Sequence, residues 1–297
     1  MNIKKYFAFC FVVPAYGSIS IVYNLRVAET SKHRGLESFF KKPSFGIFTP
    51  FGTFREKYNG VHHSAGGGLF TLLYSPERYY LRVDAAFARV SSHDRSIHFA
   101  RTQGDDVLFS GGYSPRTSKK SKLTISGLFG IPTHKDTSLE FVQFGYGHFG
   151  LGAQVDGTYF FSTNRNHTFR WATRLIHFFP RNVEARMGDQ RERFNYGIGN
   201  LADIFLALHM IRKLHSMEAG YDASFFFNAK IFPHFEDAIK RANYIRNSFY
   251  GIYKYRFFIG NVASYIACAL SYGFEPTPKT VGNKRVITTW ASWGINF

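Results

Sequence analysis

The chain has 297 residues, 45% hydrophobic and 19% aromatic, with 34 Phe, 18 Tyr and 27 Gly. That aromatic content excludes a disordered chain, and no stretch approaches the ~20 apolar residues of a spanning helix, which excludes a helical membrane bundle. The formal charge of +17 raises the question of nucleic-acid binding, which turns on where the charge lies.

The first segment, Met1-Asn2-Ile3-Lys4-Lys5, is basic; an apolar run from Tyr6 to Val13 follows, then Pro14-Ala15-Tyr16-Gly17-Ser18. This is the order of a secretory signal peptide over 1–17, cleaved near Gly17/Ser18. Phe9 stands before Cys10 where a lipoprotein anchor would have a small residue. Cleavage leaves Cys268 as the only cysteine, so an intrachain disulfide is not expected. Residues 18–42, with Ile19, Ile21, Tyr23, Leu25 and Val27 alternating, are expected to form a periplasmic strap or plug.

From residue 43 onward the pattern has period 2, the signature of strands. Over Tyr79–Val90, Tyr79, Leu81, Val83, Ala85 and Phe87 oppose Tyr80, Arg82, Asp84, Ala86 and Ala88. Over Thr168–Phe178, Phe169, Trp171, Thr173 and Leu175 oppose Arg170, Ala172 and Arg174. Over His215–Phe227, Met217, Ala219, Tyr221, Ala223, Phe225 and Phe227 oppose Ser216, Glu218, Gly220, Asp222 and Ser224. Phe249, Tyr253, Tyr255, Phe257 and Ile259 likewise oppose Ser248, Lys254 and Arg256. Such strands exceed the ~5–6 residues usual in soluble sheets and match the ~9–11 of a transmembrane β-strand.

Strands are expected near 43–54, 62–74, 79–90, 106–113, 121–131, 148–161, 168–178, 201–211, 214–227, 248–259, 262–274 and 285–297. Short connections at 75–78, 114–120, 162–167, Arg212-Lys213 and Gly260-Asn261 fall on one side; longer ones at 91–105, 132–147, 179–200, 228–247 and 275–284 fall on the other, with a short one near 55–61 among them. Even strand number, short turns at one end and long loops at the other predict an all-β fold, a transmembrane antiparallel up-and-down β-barrel over 43–297 with 12 strands. Leu139, Phe141 and Val142 offer a further strand in 139–147, so 14 is the alternative.

The last strand sets Ile287, Thr289, Ala291, Trp293, Ile295 and Phe297 against Thr288, Trp290, Ser292, Gly294 and Asn296. An alternating strand ending in Phe resembles the assembly signal of bacterial outer-membrane proteins, which implies the barrel-insertion machinery as a partner through Phe297. In the middle of the chain stand Gly104-Asp105-Asp106-Val107, Gly127-Leu128-Phe129-Gly130-Ile131-Pro132-Thr133 and Gly147-His148-Phe149-Gly150-Leu151-Gly152. These resemble the family of outer-membrane proteins associated with phenol-degradation pathways, with His134 replacing the glycine after Pro-Thr. The resemblance covers about a third of the chain. It implies a barrel and a channel for small hydrophobic or aromatic molecules, and no catalytic residue.

The register assigns Arg82, Lys122, Arg170, Arg174, Lys254 and Arg256 to the lumen, with Asp84, Asp156, Asp203, Glu218 and Asp222. Six cations against five anions make that face nearly neutral, so strong anion selectivity is not expected and pairing across strands is. The basic excess lies at the rims and in the tail, suited to anionic lipid head groups rather than to nucleic acid. The twelve histidines form no zinc pattern, and no metal or cofactor is expected. His62-His63-Ser64 is the one cluster that pairs a nucleophile with a base; His-x-Ser-Asn-Gly would resemble an outer-membrane phospholipase, but Ala65-Gly66-Gly67-Gly68 follows, and an enzyme is not expected. The glycines lack the Lys-Ser/Thr of a phosphate loop and suit a sharp bend in the wall. The expected function is an outer-membrane channel for small molecules; the alternative is a closed barrel acting in structure or surface recognition through its long loops.

Overall fold

The computed structural model describes residues 44–58, 61–75, 78–93, 98–104, 106–118, 120–133, 147–161, 166–187, 190–197, 199–227, 230–231, 245–260, 262–275 and 284–296. The signal segment, residues 18–42, Phe297 and the alternative strand within 139–147, apart from Gly147, lie outside them.

All regular structure among the described residues is strand. In chain order the strands are β1 (Ser44–Tyr58), β2 (Val61–Ser75), β3 (Tyr79–His93), β4 (His98–Gly104), β5 (Val107–Thr117), β6 (Ser121–Ile131), β7 (Gly150–Phe160) and β8 (His167–Phe178). There follow β9 (Arg181–Met187), β10 (Gln190–Gly197), β11 (Asn200–Arg212), β12 (His215–Phe227), β13 (Lys230–Ile231), β14 (Ile245–Ile259), β15 (Val262–Glu275) and β16 (Lys284–Asn296). Every pairing is antiparallel, and the main sheet runs β1, β2, β3, β5, β6, β7, β8, β11, β12, β14, β15, β16. β16 then pairs back onto β1, Gly46 opposite Asn296 and Glu56 opposite Val286, so the succession of pairings returns to its start.

The alternation of the sequence becomes the alternation of the wall, because successive Cβ atoms leave a strand on opposite faces. Along β8, Thr168, Arg170, Ala172, Arg174, Ile176 and Phe178 are buried, while Thr173, Leu175 and His177 between them are exposed. β11 does the same, burying Leu201, Asp203, Phe205, Ala207 and His209 and exposing Ile204, Leu206, Leu208 and Met210. The exposed face is the apolar one: Leu81 is 63% exposed, Leu208 59%, Leu151 56% and Leu270 56%. A contiguous surface of this kind is an aggregation liability in water and is at rest only against hydrocarbon.

Aromatic side chains mark both borders of that surface. At the short-turn end Tyr79 stacks on Tyr113 at 4.9 Å and Tyr159 meets Phe161 edge-on at 5.6 Å. At the other end His177 meets Phe179 at 5.0 Å, and Phe249 lies between Tyr221 at 5.2 Å and Phe274 at 6.2 Å. The exposed aromatics Phe149 and Tyr159, at the two ends of β7, are ten residues apart. At ~3.4 Å per residue and a tilt of ~40° this gives ~26 Å, close to the ~25 Å apolar band of outer-membrane barrels.

Three of the expected long connections contain strand among their described residues. Within 91–105, β4 pairs with the upper part of β3, His98 opposite His93, and the register against β3 differs by one residue between β4 and β5. Within 179–200, β9 and β10 keep the register of the β8–β11 hairpin: Asn200 faces His177 there, and Tyr196 faces Arg181 beyond it. β13, inside 228–247, pairs with β10 in the register of β11 and β12. The wall therefore continues past its neighbours over these strands, with Gly199 at φ 79° where the hairpin breaks. At the opposite end Arg212 pairs with His215, which moves the turn from Arg212-Lys213 to Lys213-Leu214. The hairpin expected at Gly260-Asn261 joins Ile259 to Val262 across Gly260, whose φ of 59° suits glycine.

Two of the motifs quoted above meet in space. The Asp106 carboxylate accepts the Gly147 N–H at 2.9 and 3.1 Å, and buried His148 bonds the Phe179 carbonyl through Nδ1 at 2.9 Å. The chain thus re-enters the wall at Gly150 from a fixed point beside β5.

Candidate functional site on the inner face

The strands place all eleven ionisable residues assigned to the lumen on one face of the sheet. Thr158 is opposite both Lys122 and Arg170, Thr124 is opposite Asp156, and Gln154 is opposite Arg174. Arg174 is opposite Asp203, Phe205 opposite Asp222, and His209 opposite Glu218. Lys254 is opposite Ser216, Arg256 is opposite Tyr265, and Arg82 and Asp84 face Ser110 and Leu108. Arg82, Asp84, Arg170, Arg174, Asp203, Glu218 and Asp222 are buried, whereas Lys122, Asp156, Lys254 and Arg256 are half-buried.

The largest cluster joins four strands. Arg170 on β8 donates to Glu218 on β12 at 2.6 Å, and the Tyr250 hydroxyl on β14 donates to the other Glu218 oxygen at 3.1 Å. Phe205 on β11 stacks on the Tyr250 ring at 5.7 Å. Nearby, Lys254 sits over the Tyr265 ring with Nζ 4.1 Å from its centroid, a cation–π contact. Arg174 bonds Asp203 on the adjoining strand, and Gln154 donates to Asp156 at 3.3 Å. Away from this cluster, Arg82 Nε reaches both Asp84 oxygens at 2.9 and 3.0 Å. That last pair lies along one strand, not across two as expected, because residues two apart share a face.

Two of the inward tyrosines, Tyr80 and Tyr250, hug the wall. Tyr80 lies across Gly112 on the next strand and donates to Ser126 on the one beyond at 2.7 Å. A Cβ at Gly112 would come within 2.2 Å of the Tyr80 ring, so only glycine admits it. Tyr250 lies across Gly220 in the same way, where a Cβ would meet its hydroxyl at 2.3 Å. Both rings are thereby laid along the circumference of the sheet. Neither tyrosine, nor His209, Phe205 or Tyr265, stands out in the sequence, since an aromatic on the polar face reads as an exception. The signal is a glycine on the neighbouring strand, legible only once the register is known.

His62, His63 and Ser64 lie at the start of β2, and Gly66, Gly67 and Gly68 stand opposite Thr53, Gly52 and Phe51 on β1. Among the described residues no three His, Cys, Asp or Glu side chains converge on a metal position.

This inverted wall has counterparts among solved structures. The COG4313 outer membrane channel from Pseudomonas putida F1 superposes with a TM-score of 0.65 at 12% identity, over 86% of this chain and 95% of that one. The fold is that of an outer-membrane β-barrel. The β domain of the Bordetella autotransporter BrkA superposes with a TM-score of 0.53 at 10% identity, over 86% of this chain and all of that domain, 100%. No protein-family model and no curated protein matches the sequence. At such identities the likeness concerns architecture, and the same outer-membrane barrel carries a channel in one case and an autotransporter domain in the other.

Proposed function

We propose that the chain is an outer-membrane channel for small molecules, with a preference for hydrophobic or aromatic ones. The observation that carries this reading is the treatment of the inner face: Tyr80 and Tyr250 are seated on glycines against the wall, and six of its charges meet in the pairs Arg82–Asp84, Arg170–Glu218 and Arg174–Asp203. A barrel that served only as a plug in the membrane gains nothing from glycine seats; filling the bore with side chains would stabilise it more. Paired ions leave a weak field along the bore, so a neutral molecule passes polar walls without having to shed or attract charge. That the Pseudomonas putida protein of like fold, at 12% identity, is a channel agrees with this reading. In the same proposal, residues 1–17 direct export, the strand ending at Phe297 engages the insertion machinery, and residues 18–42 form the strap or plug.

Single-channel recording tests it. The mature chain, refolded into planar bilayers, is expected to give steady conductance with weak ion selectivity, increased when 18–42 is deleted. Silence from both forms, with heat-modifiable gel mobility showing the barrel folded, would refute it. A second reading then takes over, resting on the strands that rise beyond the rim, β9, β10 and β13, as a platform for surface recognition.

A further inference from the structure

The outer face carries a groove that the channel reading does not use. It has a volume of about 880 Å³, within the range of small-molecule sites, and spans the lipid side of β11, β12, β14 and β15. Its floor is a row of small residues, Ala219 opposite Gly251, flanked in register by Leu208 and Leu270. The next row toward the short turns runs Met210, Met217, Tyr253 and Cys268. A Cβ built at Gly251 meets nothing within 4 Å, so no neighbouring side chain fills the space.

The groove is not uniform along its length. Two residues beyond Met210, ~7 Å at strand rise, the same face of β11 ends in exposed Arg212, followed by exposed Lys213 in the turn. Beside them His215 bonds the Tyr253 hydroxyl through Nδ1 at 2.6 Å. Lys213 has φ 54°, the one non-glycine residue with positive φ among the described residues, at a hairpin position that glycine would occupy without strain. A cation is held there at a backbone cost. An apolar slot with two cations beyond its end at the short-turn border is complementary to one kind of occupant, an acyl chain under an anionic head group.

We propose that this groove binds one anionic phospholipid of the inner leaflet, its acyl chain over Ala219 and Gly251 and its phosphate against Arg212 and Lys213. Phosphate is met by charge-assisted N–H donors at the depth where head groups lie. The chain lies in a slot of thioether and aliphatic walls that adapt to an unbranched tail.

Native mass spectrometry of the full mature chain, extracted from bilayers of equal phosphatidylglycerol and phosphatidylcholine, tests this. One phosphatidylglycerol is expected to remain per chain, with little phosphatidylcholine. Gly251→Leu, at a position where a Cβ has open space, fills the slot and is expected to abolish retention of either lipid. Arg212→Gln with Lys213→Gly removes both cations and relieves the turn; it is expected to lower the preference for phosphatidylglycerol about thirtyfold, from the usual contribution of two juxtamembrane cations. Folding of each variant is checked by heat-modifiable mobility. Equal retention of the two lipids by the wild type, or unchanged retention in Gly251→Leu, would overturn the proposal. A dimer that replaces the lipid-bound species and disappears in Gly251→Leu would also overturn it, assigning the groove to a second copy of the chain.

Discussion

Arg170, Glu218 and Tyr250 offer the sharpest test of the inner face. Arg170 is 1% exposed and Glu218 5%, so neither charge has water to fall back on when the other is removed. With charge centres about 4 Å apart and an effective dielectric constant of ~20, the attraction is ~4 kcal/mol before desolvation is subtracted. Breaking such a pair from one side strands the partner and costs ~3–5 kcal/mol, whereas replacing both ends with apolar groups of similar size is often neutral. Arg170→Met and Glu218→Leu are therefore each expected to cost about 3–5 kcal/mol, and the double variant no more than about 2. The coupling between them comes to about 4 kcal/mol or more, above the roughly 0.5–3 usual for contacting residues. Reversible urea unfolding from lipid vesicles, followed by tryptophan fluorescence, measures all four corners of the cycle. If the two substitutions are additive within ~0.5 kcal/mol, the pair is hydrated and the buried-cluster argument fails.

Two further outcomes follow from the faces and the glycine seats. Leu270→Arg, at the middle of the outer surface, is expected to cost ~2–4 kcal/mol, while Ile259→Arg beside the Gly260 turn costs ~0–1; equal costs in the same unfolding assay would contradict the placement of the membrane. Gly220→Ala is expected to cost ~1–3 kcal/mol by pushing the Tyr250 ring off its seat. Adding Tyr250→Ala should make the Gly220→Ala substitution nearly silent, and an undiminished cost would place the ring elsewhere.

The wall itself is readable because both its faces are selected by solvent. Lipid outside and polar packing inside impose opposite chemistry on successive residues, so Leu81-Arg82-Val83-Asp84 announces its own orientation. Strands that rise beyond the membrane lose that contrast. Arg181-Asn182-Val183-Glu184-Ala185-Arg186 has polar residues on both parities and reads as loop, although it pairs in the register of β8 and β11. Backbone hydrogen bonds continued from the hairpin below supply what the side-chain pattern does not. Arg82–Asp84 can be inferred from spacing alone, while Arg170–Glu218 joins residues 48 apart and needs the order of the strands. The tyrosine seats are hidden for the same reason, since Gly112 and Gly220 matter only for what the neighbouring strand lays over them.

The pairing of β1 with β16 has a consequence for how the molecule comes together. Among the described pairings of the ring, every other one joins neighbours in chain order, with only β4 between β3 and β5, β9 and β10 between β8 and β11, and β13 between β12 and β14. Those pairings close short loops and carry little entropic cost. The β1–β16 pairing alone ties the two extremities, Gly46 to Asn296, and cannot form until the ribbon between them has curled round. It is the zipper of the cylinder, the last seam to close in assembly and the natural place for the sheet to part. Gly46 and Gly52 on β1 and Gly294 on β16 stand on that seam opposite Asn296, Trp290 and Phe48, so in each of those pairs one partner is a glycine.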